Sequence, residues 1–313
     1  MQPMFSDKII NGESGVLLYG ITPPKSSNSP EKIEEITLKT INRIKQLEID
    51  GLVIYDIQDE ASRNASERPF PFISTVDAHT YSSVYLKELN LPKIVYCSVG
   101  KLSEDQLSAN LMDSSPDNAS VFVGMPSKGL PVKMTLPQAY TIWNQTSRQN
   151  LLGAVAIPER HYLKKNEHLK IASKLENGCS FFITQCVYNV DNVKALVTDL
   201  HDWSKETGSK LPTLIFTLTP CGSLKTLKFI DWLGIHVPEW LASELSNCNN
   251  ILEKSVDTCL KIASEIMDFC IEKEVPFGLN VESVSIKKDE IEASENLLRS
   301  VAKLLEEKGI RQI

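Results

Sequence analysis

Carboxyl side chains recur just after short apolar runs of the chain, at positions where buried strands would end. A carboxyl at such a position can act as a general acid when burial raises its pKa and it reaches the reacting atom. The alternative roles are a solvated acidic loop for the first two of these residues and a buried ion pair for the last. The candidate catalytic residues are Asp59, Glu60, Glu159 and Glu282.

A second set of polar side chains occupies the same kind of position and is suited to hydrogen-bonding a substrate. Gln185 ends the sixth apolar run, and its amide can contact a ligand or satisfy loop backbone. Asn280 and Glu282 are two residues apart, so both point to the same face of a strand. The candidate substrate-binding residues are Tyr55, Asp56, Gln58, Gln185 and Asn280.

Three consecutive residues, Glu159, Arg160 and His161, offer an acid, an anion-binding guanidinium and a titratable imidazole. The three side chains cannot all point inward. We predict that Glu159 faces the site and that His161 caps backbone groups.

The seven cysteines include Cys97, Cys186 and Cys221 near strand ends, a distribution that raises the possibility of a zinc-thiolate site. The chain has no CxxC or His-x-Cys ligand pair, and buried cysteines without a function are common. We therefore predict reduced thiols and assign no metal ligand. Glycine-rich nucleotide-binding loops of the GxGxxG or GKS/T type are also absent from the sequence.

The elements that position these residues are short strands rich in Val, Ile, Leu and Phe, alternating with amphipathic helices. Eight such strands predict a single-domain (β/α)8 TIM barrel, in which the site lies at the carboxyl ends of the strands. An open doubly wound sheet is the alternative, since periodicity does not reveal closure. The predicted strands span 15–20, 51–56, 93–98, 120–124, 152–157, 180–185, 213–218 and 277–282.

Two insertions account for the length of 313 residues. One is the long loop 56–72 after the second strand, which we predict to act as a lid. The other consists of extra helices before the eighth strand, from 237–240 through 251–272. Sequence signals also mark helix starts, namely Ser29 before Pro30 and a capping-box spacing from Ser103 to Gln106.

The composition limits the classes of partner that we expect for this chain. The formal charge of −7 provides no basic excess for nucleic acid, and no apolar run reaches the roughly 18 residues of a membrane span. Without a secretory signal at its start, the chain is expected to be cytoplasmic. The sequence leaves a homo-oligomer open.

Several of these stretches resemble the methylenetetrahydrofolate reductase family, the flavin-dependent barrel enzymes of one-carbon metabolism. GITPPK at 20–25 is similar to the family's first strand ending, and AIPERH at 156–161 is similar to its Tyr-Pro-Glu-x-His. The stretches 174–185 and 223–240 follow its sixth strand and seventh helix region. The matches occur in the family's order and extend over most of the chain.

The resemblance implies a reduced folate or related pterin as substrate, FAD as cofactor and NAD(P)H as hydride source. Gln185 corresponds to the residue that contacts the pterin in the family. The implied cofactor-binding residues are Thr22, Glu167 and Lys174.

The chain departs from the family where the chemistry is done. Gly20 stands where the family carries the Glu that protonates the folate, and the Arg-Gly-Asp after the fourth strand is replaced by Val123, Gly124 and Met125. Ile157 replaces a Tyr. If the barrel does proton chemistry, the acid would then come from strand two, five or eight. The alternative is that Gly20 makes room for a ligand shape that the usual reductase would exclude.

Three functions follow as hypotheses. The first is a methylenetetrahydrofolate reductase-like oxidoreductase. The second is a folate- or corrinoid-linked methyltransferase on the same barrel, and the third is a folate-binding protein without catalysis.

Overall fold

The computed structural model describes residues 4–59, 66–124, 132–146 and 150–311. Its eight parallel strands pair in chain order, and β1 also pairs with β8, so the sheet is a closed barrel. The prediction of a (β/α)8 barrel is confirmed, and the open sheet is excluded. The strands are β1 (Val16–Ile21), β2 (Gly51–Ile54), β3 (Lys93–Ser98), β4 (Ala119–Val123), β5 (Leu151–Ala156), β6 (Cys179–Cys186), β7 (Thr213–Leu218) and β8 (Phe277–Glu282).

Helices alternate with these strands, and the predicted caps are formed. Ser29 accepts a hydrogen bond from the backbone of Lys32, and Ser103 and Gln106 form a reciprocal capping box. The helices are α1 (Phe5–Asn11), α2 (Pro30–Ile44), α3 (Ala78–Thr80), α4 (Glu104–Asp113), α5 (Leu136–Gln145), α6 (Pro158–Lys164), α7 (Glu167–Glu176), α8 (Val190–Thr207), α9 (Leu224–Trp232), α10 (Glu239–Asn247), α11 (Ile251–Glu272) and α12 (Lys288–Glu307). One π-helical turn spans Tyr81–Tyr85, and one 3-10 turn spans Val99–Lys101.

The helix α1 closes the amino-terminal end of the barrel, a role that the sequence analysis did not predict. The Phe5 ring packs edge-on against Phe181 inside the barrel, with 5.4 Å between the ring centroids. Beside it, the buried Asp50 carboxylate pairs with Lys8 at 2.9 Å and with Arg311 at 2.6 Å. Asp50 thus links the first helix of the chain, the start of β2 and the residues after α12.

Alternation along each strand sorts side chains between two apolar layers. One layer fills the barrel interior and includes Leu18, Val53, Ile94 and Ile183. The larger layer lies between the barrel and the helices. Because the interior is filled with apolar side chains toward its amino-terminal end, polar inward-facing residues are concentrated at the opposite end.

The two insertions lie where the sequence predicts them. The helices α10 and α11 separate β7 from β8, and a long connection follows β2. Near its end, this connection forms an isolated antiparallel bridge, in which Thr75 pairs with Lys25, a residue that follows β1. The loop after β2 is thereby held against the end of β1.

Candidate functional site

Gly20 and Glu282 stand side by side at the carboxyl end of the barrel, since they pair in the register of β1 and β8. A Cβ atom on Gly20 would lie 2.8 Å from Cε2 of Tyr55 and 3.1 Å from Cβ of Glu282. The expectation that Gly20 leaves room for a ligand is therefore wrong in the structure described, because Tyr55 and Glu282 fill that space. At this level of the barrel β1 has no carboxyl, because its residue is Gly20, whereas β8 provides the carboxyl of Glu282.

Glu282 is half-buried, and its carboxyl accepts two hydrogen bonds from within the barrel. Cys186 donates its thiol hydrogen to Oε1 over 3.1 Å, and the Tyr55 hydroxyl donates as well. Burial raises the pKa of Glu282 above that of an ordinary carboxyl, and the two hydrogen bonds oppose part of this rise. Such a carboxyl holds its proton to a higher pH than an exposed glutamate does and can release it to a bound base.

The hydroxyl of Tyr55 is oriented by its neighbours. Asn280, fully buried on β8, donates its amide hydrogens to Tyr55 Oη at 2.9 Å and to Thr217 Oγ1 at 3.2 Å. Because Tyr55 accepts from Asn280, its own hydrogen is left for Glu282. Burial, followed by the nearby charge of Glu282, raises the pKa of Tyr55 well above its usual value, so the phenol stays protonated.

Tyr96 extends this polar site with an aromatic face. Its ring meets that of Tyr55 edge-on, with 4.8 Å between the centroids and 62° between the planes. The sequence analysis considered Cys97 near this strand end and missed Tyr96. The inward-facing Ile94, two residues earlier on β3, could have identified it through the alternation of the strand.

A bulge in β6 brings Cys186 to Glu282. Ile183 pairs with Ile215 on β7, whereas Cys186 pairs with Thr217, so β6 contains one residue more than its partner over this interval. The Thr217 backbone N–H donates to Thr184 Oγ1, which holds the bulge in place. Gln185 lies within the bulge and is half-buried. Its contact with a pterin stays a prediction.

Glu159 approaches the same thiol from the first turn of α6. It is 8% exposed, and burial raises its pKa to about 7 despite hydrogen bonds from its own backbone and that of His236. Its Oε2 has no hydrogen-bond partner among the described residues. The charges of Glu282 and Glu159 both add to the burial that raises the pKa of Cys186, so this thiol acts as a donor and not as a thiolate.

The carboxylates after β2 take different positions. Asp56 accepts hydrogen bonds from the Ser98 backbone at 2.9 Å and from Lys101 Nζ at 2.6 Å, and Gln58 donates to it as well. These contacts tie the end of β2 to the end of β3. Asp59 is exposed, with its Oδ1 3.9 Å from Arg68, and Glu60 lies outside the described residues. Their roles in substrate binding and catalysis stay predictions.

Arg68 anchors the loop after β2 on α9. Its guanidinium lies 5.2 to 5.5 Å from the ring centroids of Phe72, Phe229 and Trp232. The Trp232 indole also donates to the Ser66 carbonyl over 3.0 Å. Because α9 follows β7 and the loop follows β2, this contact joins elements that lie on either side of β1 and β8 in the barrel order.

The residues that the resemblance assigns to flavin are engaged by the protein itself. Glu167 is fully buried; its Oε1 accepts from the Ile157 backbone, and its Oε2 lies 3.4 Å from Arg160 and 3.2 Å from Lys170. Lys174 donates to the Val155 carbonyl over 2.7 Å. Both residues thus fasten α6 and α7 to β5 and fit poorly as ligands of FAD, while Thr22 is exposed after β1.

The fold and site define a parallel eight-stranded barrel with an acid, two phenols and a buried amide at its carboxyl end. The family model of methylenetetrahydrofolate reductase matches residues 152–283, which span β5 to β8. None of the curated proteins matches the chain. No described helix combines the length and apolar content needed to cross a membrane.

Among solved structures, a protein from Clostridium thermocellum that binds two copies of 5-methyl-5,6,7,8-tetrahydrofolic acid is 46% identical, with a TM-score of 0.85. The alignment covers 96% of this chain and 100% of that one. A GH10 endoxylanase from a sugarcane soil metagenome shares only the fold, at 7% identity and a TM-score of 0.53, covering 91% of this chain and 97% of that one. The chain belongs to the methylenetetrahydrofolate reductase family.

Proposed function

We propose that this protein binds a reduced folate at the carboxyl end of the barrel and that Glu282 exchanges a proton with the bound pterin. The observation that carries the proposal is the placement of Glu282 beside Gly20, where the family's acid is missing. The similarity to the Clostridium thermocellum protein, which binds a methylated reduced folate, supports the choice of ligand.

Each group around Glu282 contributes to this chemistry. The rings of Tyr55 and Tyr96 provide an aromatic surface for a flat heterocycle. Asn280 fixes the Tyr55 hydroxyl, which together with Cys186 orients the carboxyl. The acid of Glu282, with its raised pKa, transfers a proton to a basic ring nitrogen and is left as a carboxylate stabilised by the same two donors.

Proton transfer to a reduced pterin serves both the reductase and the methyltransferase hypotheses. The reduction with FAD and NAD(P)H that the resemblance implies would need flavin contacts other than Glu167 and Lys174, which are already paired. We therefore assign no step to flavin. The same pairing favours the second candidate function, a folate-binding protein without turnover.

Calorimetric titration with 5-methyltetrahydrofolate in buffers of different ionisation enthalpy tests the proposal. It gives the affinity, the number of sites and the number of protons exchanged on binding. We expect the wild type to bind the folate and to exchange up to about one proton in a pH-dependent way. Glu282→Gln should retain binding and lose this pH dependence.

The matched control is Glu176→Gln, which changes an exposed residue of α7. It should behave as the wild type does. Failure of the wild type to bind folate would overturn the proposal as a whole, whereas identical proton exchange in Glu282→Gln would overturn the role of Glu282. Binding with proton exchange but no consumption of the folate would select the non-catalytic function.

A further inference from the structure

Three side chains from three successive helices converge outside the barrel. His161 on α6, His168 on α7 and Asp199 on α8 each direct one ligand atom into a space where these atoms all lie within 4.8 Å of one another. His161 is fully buried, and the side chain of Asp199 is 42% exposed. The cluster thus has a closed inner end and an opening to solvent.

The turn between α6 and α7 brings the two histidines together. Lys165 adopts a left-handed conformation with φ of 51° and donates its backbone N–H to the His161 carbonyl over 2.7 Å. The chain therefore reverses within a few residues, and the His161 and His168 rings meet edge-on with 5.3 Å between their centroids. Both helices pack against α8, which provides Asp199.

Polar atoms of the two histidines are buried inside the cluster. Within the described part of the chain, both ring nitrogens of His161 and Nδ1 of His168 are buried and have no hydrogen-bond partner. His161 Nε2 lies 2.9 Å from Asp199 Oδ2. Two ligands of one metal ion, each about 2.0 to 2.2 Å from it, lie about 3 to 3.5 Å apart, which is close to this spacing.

We propose that His161, His168 and Asp199 bind a divalent first-row transition metal ion, with water completing the coordination. Two imidazoles and one carboxylate are a ligand set typical of zinc and iron(II). The ion would join α6, which also carries Glu159, to α7 and α8 on the outside of the barrel.

Titration of the metal-stripped full chain with zinc tests this site. We expect one zinc ion per chain by calorimetry and a rise in melting temperature at saturation. Cobalt(II) should bind competitively and give visible absorption bands whose shape reports nitrogen and oxygen ligation. These readouts do not depend on folate binding, so this site and the proposed function fail independently.

The variants Asp199→Asn and His168→Gln test the ligands at positions that are not fully buried, so both chains should fold. Each should weaken zinc binding at least about tenfold and reduce the thermal stabilisation. The matched control is Asp202→Asn on α8, where Asp202 pairs with the adjacent His201 over 3.1 Å. It should leave zinc affinity unchanged.

Two results would overturn the site. One is the absence of stoichiometric zinc binding to the wild type, which would leave His161 and Asp199 as a simple ion pair. The other is equal zinc affinity in the wild type and in both ligand variants, which would place the bound ion elsewhere on the surface.

Discussion

The Cβ position of Gly20 and the ring of Tyr55 compete for the same space, because a Cβ there would lie 2.8 Å from Tyr55 Cε2. A residue of β1 thereby decides whether the phenol of Tyr55 can reach Glu282 on β8. The missing side chain at Gly20 on β1 and the acid at Glu282 on β8 therefore belong to one steric arrangement, because the ring of Tyr55 takes the space beside both.

Gly20→Ala should disturb this arrangement. The methyl group must displace Tyr55 or Glu282, at a cost of about 1–3 kcal/mol in the free energy of unfolding. Folate affinity should fall as well, because Tyr55 no longer orients the carboxyl. Urea unfolding and folate titration measure both effects.

The control for this change is Gly124→Ala at the end of β4. A Cβ there would lie 3.4 Å from Leu136, at the edge of ordinary contact, so stability should change little. A Gly20→Ala variant as stable and as active in binding as the Gly124→Ala variant would contradict the steric argument.

Glu159 should make the stability of the protein depend on pH. Burial raises its folded pKa to about 7 from the ordinary 4.5, so the folded chain holds a proton that the unfolded chain releases between these values. The stability contributed by the protonated group is complete below about pH 4.5 and is lost as the pH rises to about 7, by about 3 kcal/mol in all. Glu159→Gln should remove this part of the dependence of the unfolding free energy on pH, which urea unfolding at pH 5 and pH 8 measures.

The comparison for Glu159 is again Glu176→Gln, on the exposed face of α7. Its free energy of unfolding should change with pH by the same amount as that of the wild type. A Glu159→Gln chain that keeps the full wild-type slope would show that another group is responsible.

Arg68→Ala should release the loop after β2 from α9. The guanidinium contacts three aromatic rings, and the loss of a partly desolvated cation–π cluster removes about 2 kcal/mol of local stability. We expect faster proteolysis near residues 59–72, a changed Trp232 fluorescence and weaker folate binding. Arg299→Ala, on the exposed face of α12, should leave all three unchanged.

Asp50→Ala should be among the most destabilising single changes at the closed end of the barrel. It leaves Lys8 and Arg311 buried without their carboxylate, a loss of about 3–5 kcal/mol. Asp268→Ala, which removes an exposed carboxylate from its pair with Lys308, should cost at most about 1 kcal/mol. Equal losses in the two variants, compared by chemical denaturation, would contradict this difference in burial.

The sequence alone was sufficient for the eight strands and their order along the chain. Alternation of short β-branched runs with amphipathic helices predicts all eight strands, and Ser29 and Ser103 mark helix starts because caps are local interactions. The candidate acids Glu159 and Glu282 were found in the same way, since strand ends follow from hydrophobic periodicity. The helix α1 was missed because its role depends on Phe181, far away in the chain.

Only the tertiary structure decided how these residues meet. Closure of the barrel places Glu282 beside Gly20, and a bulge in β6 turns Cys186 toward that acid, which regular alternation does not predict. The turn after α6 joins His161 to His168, and α8 adds Asp199. Such contacts depend on register and helix packing, which join residues distant in sequence and leave no periodic signal in any one segment.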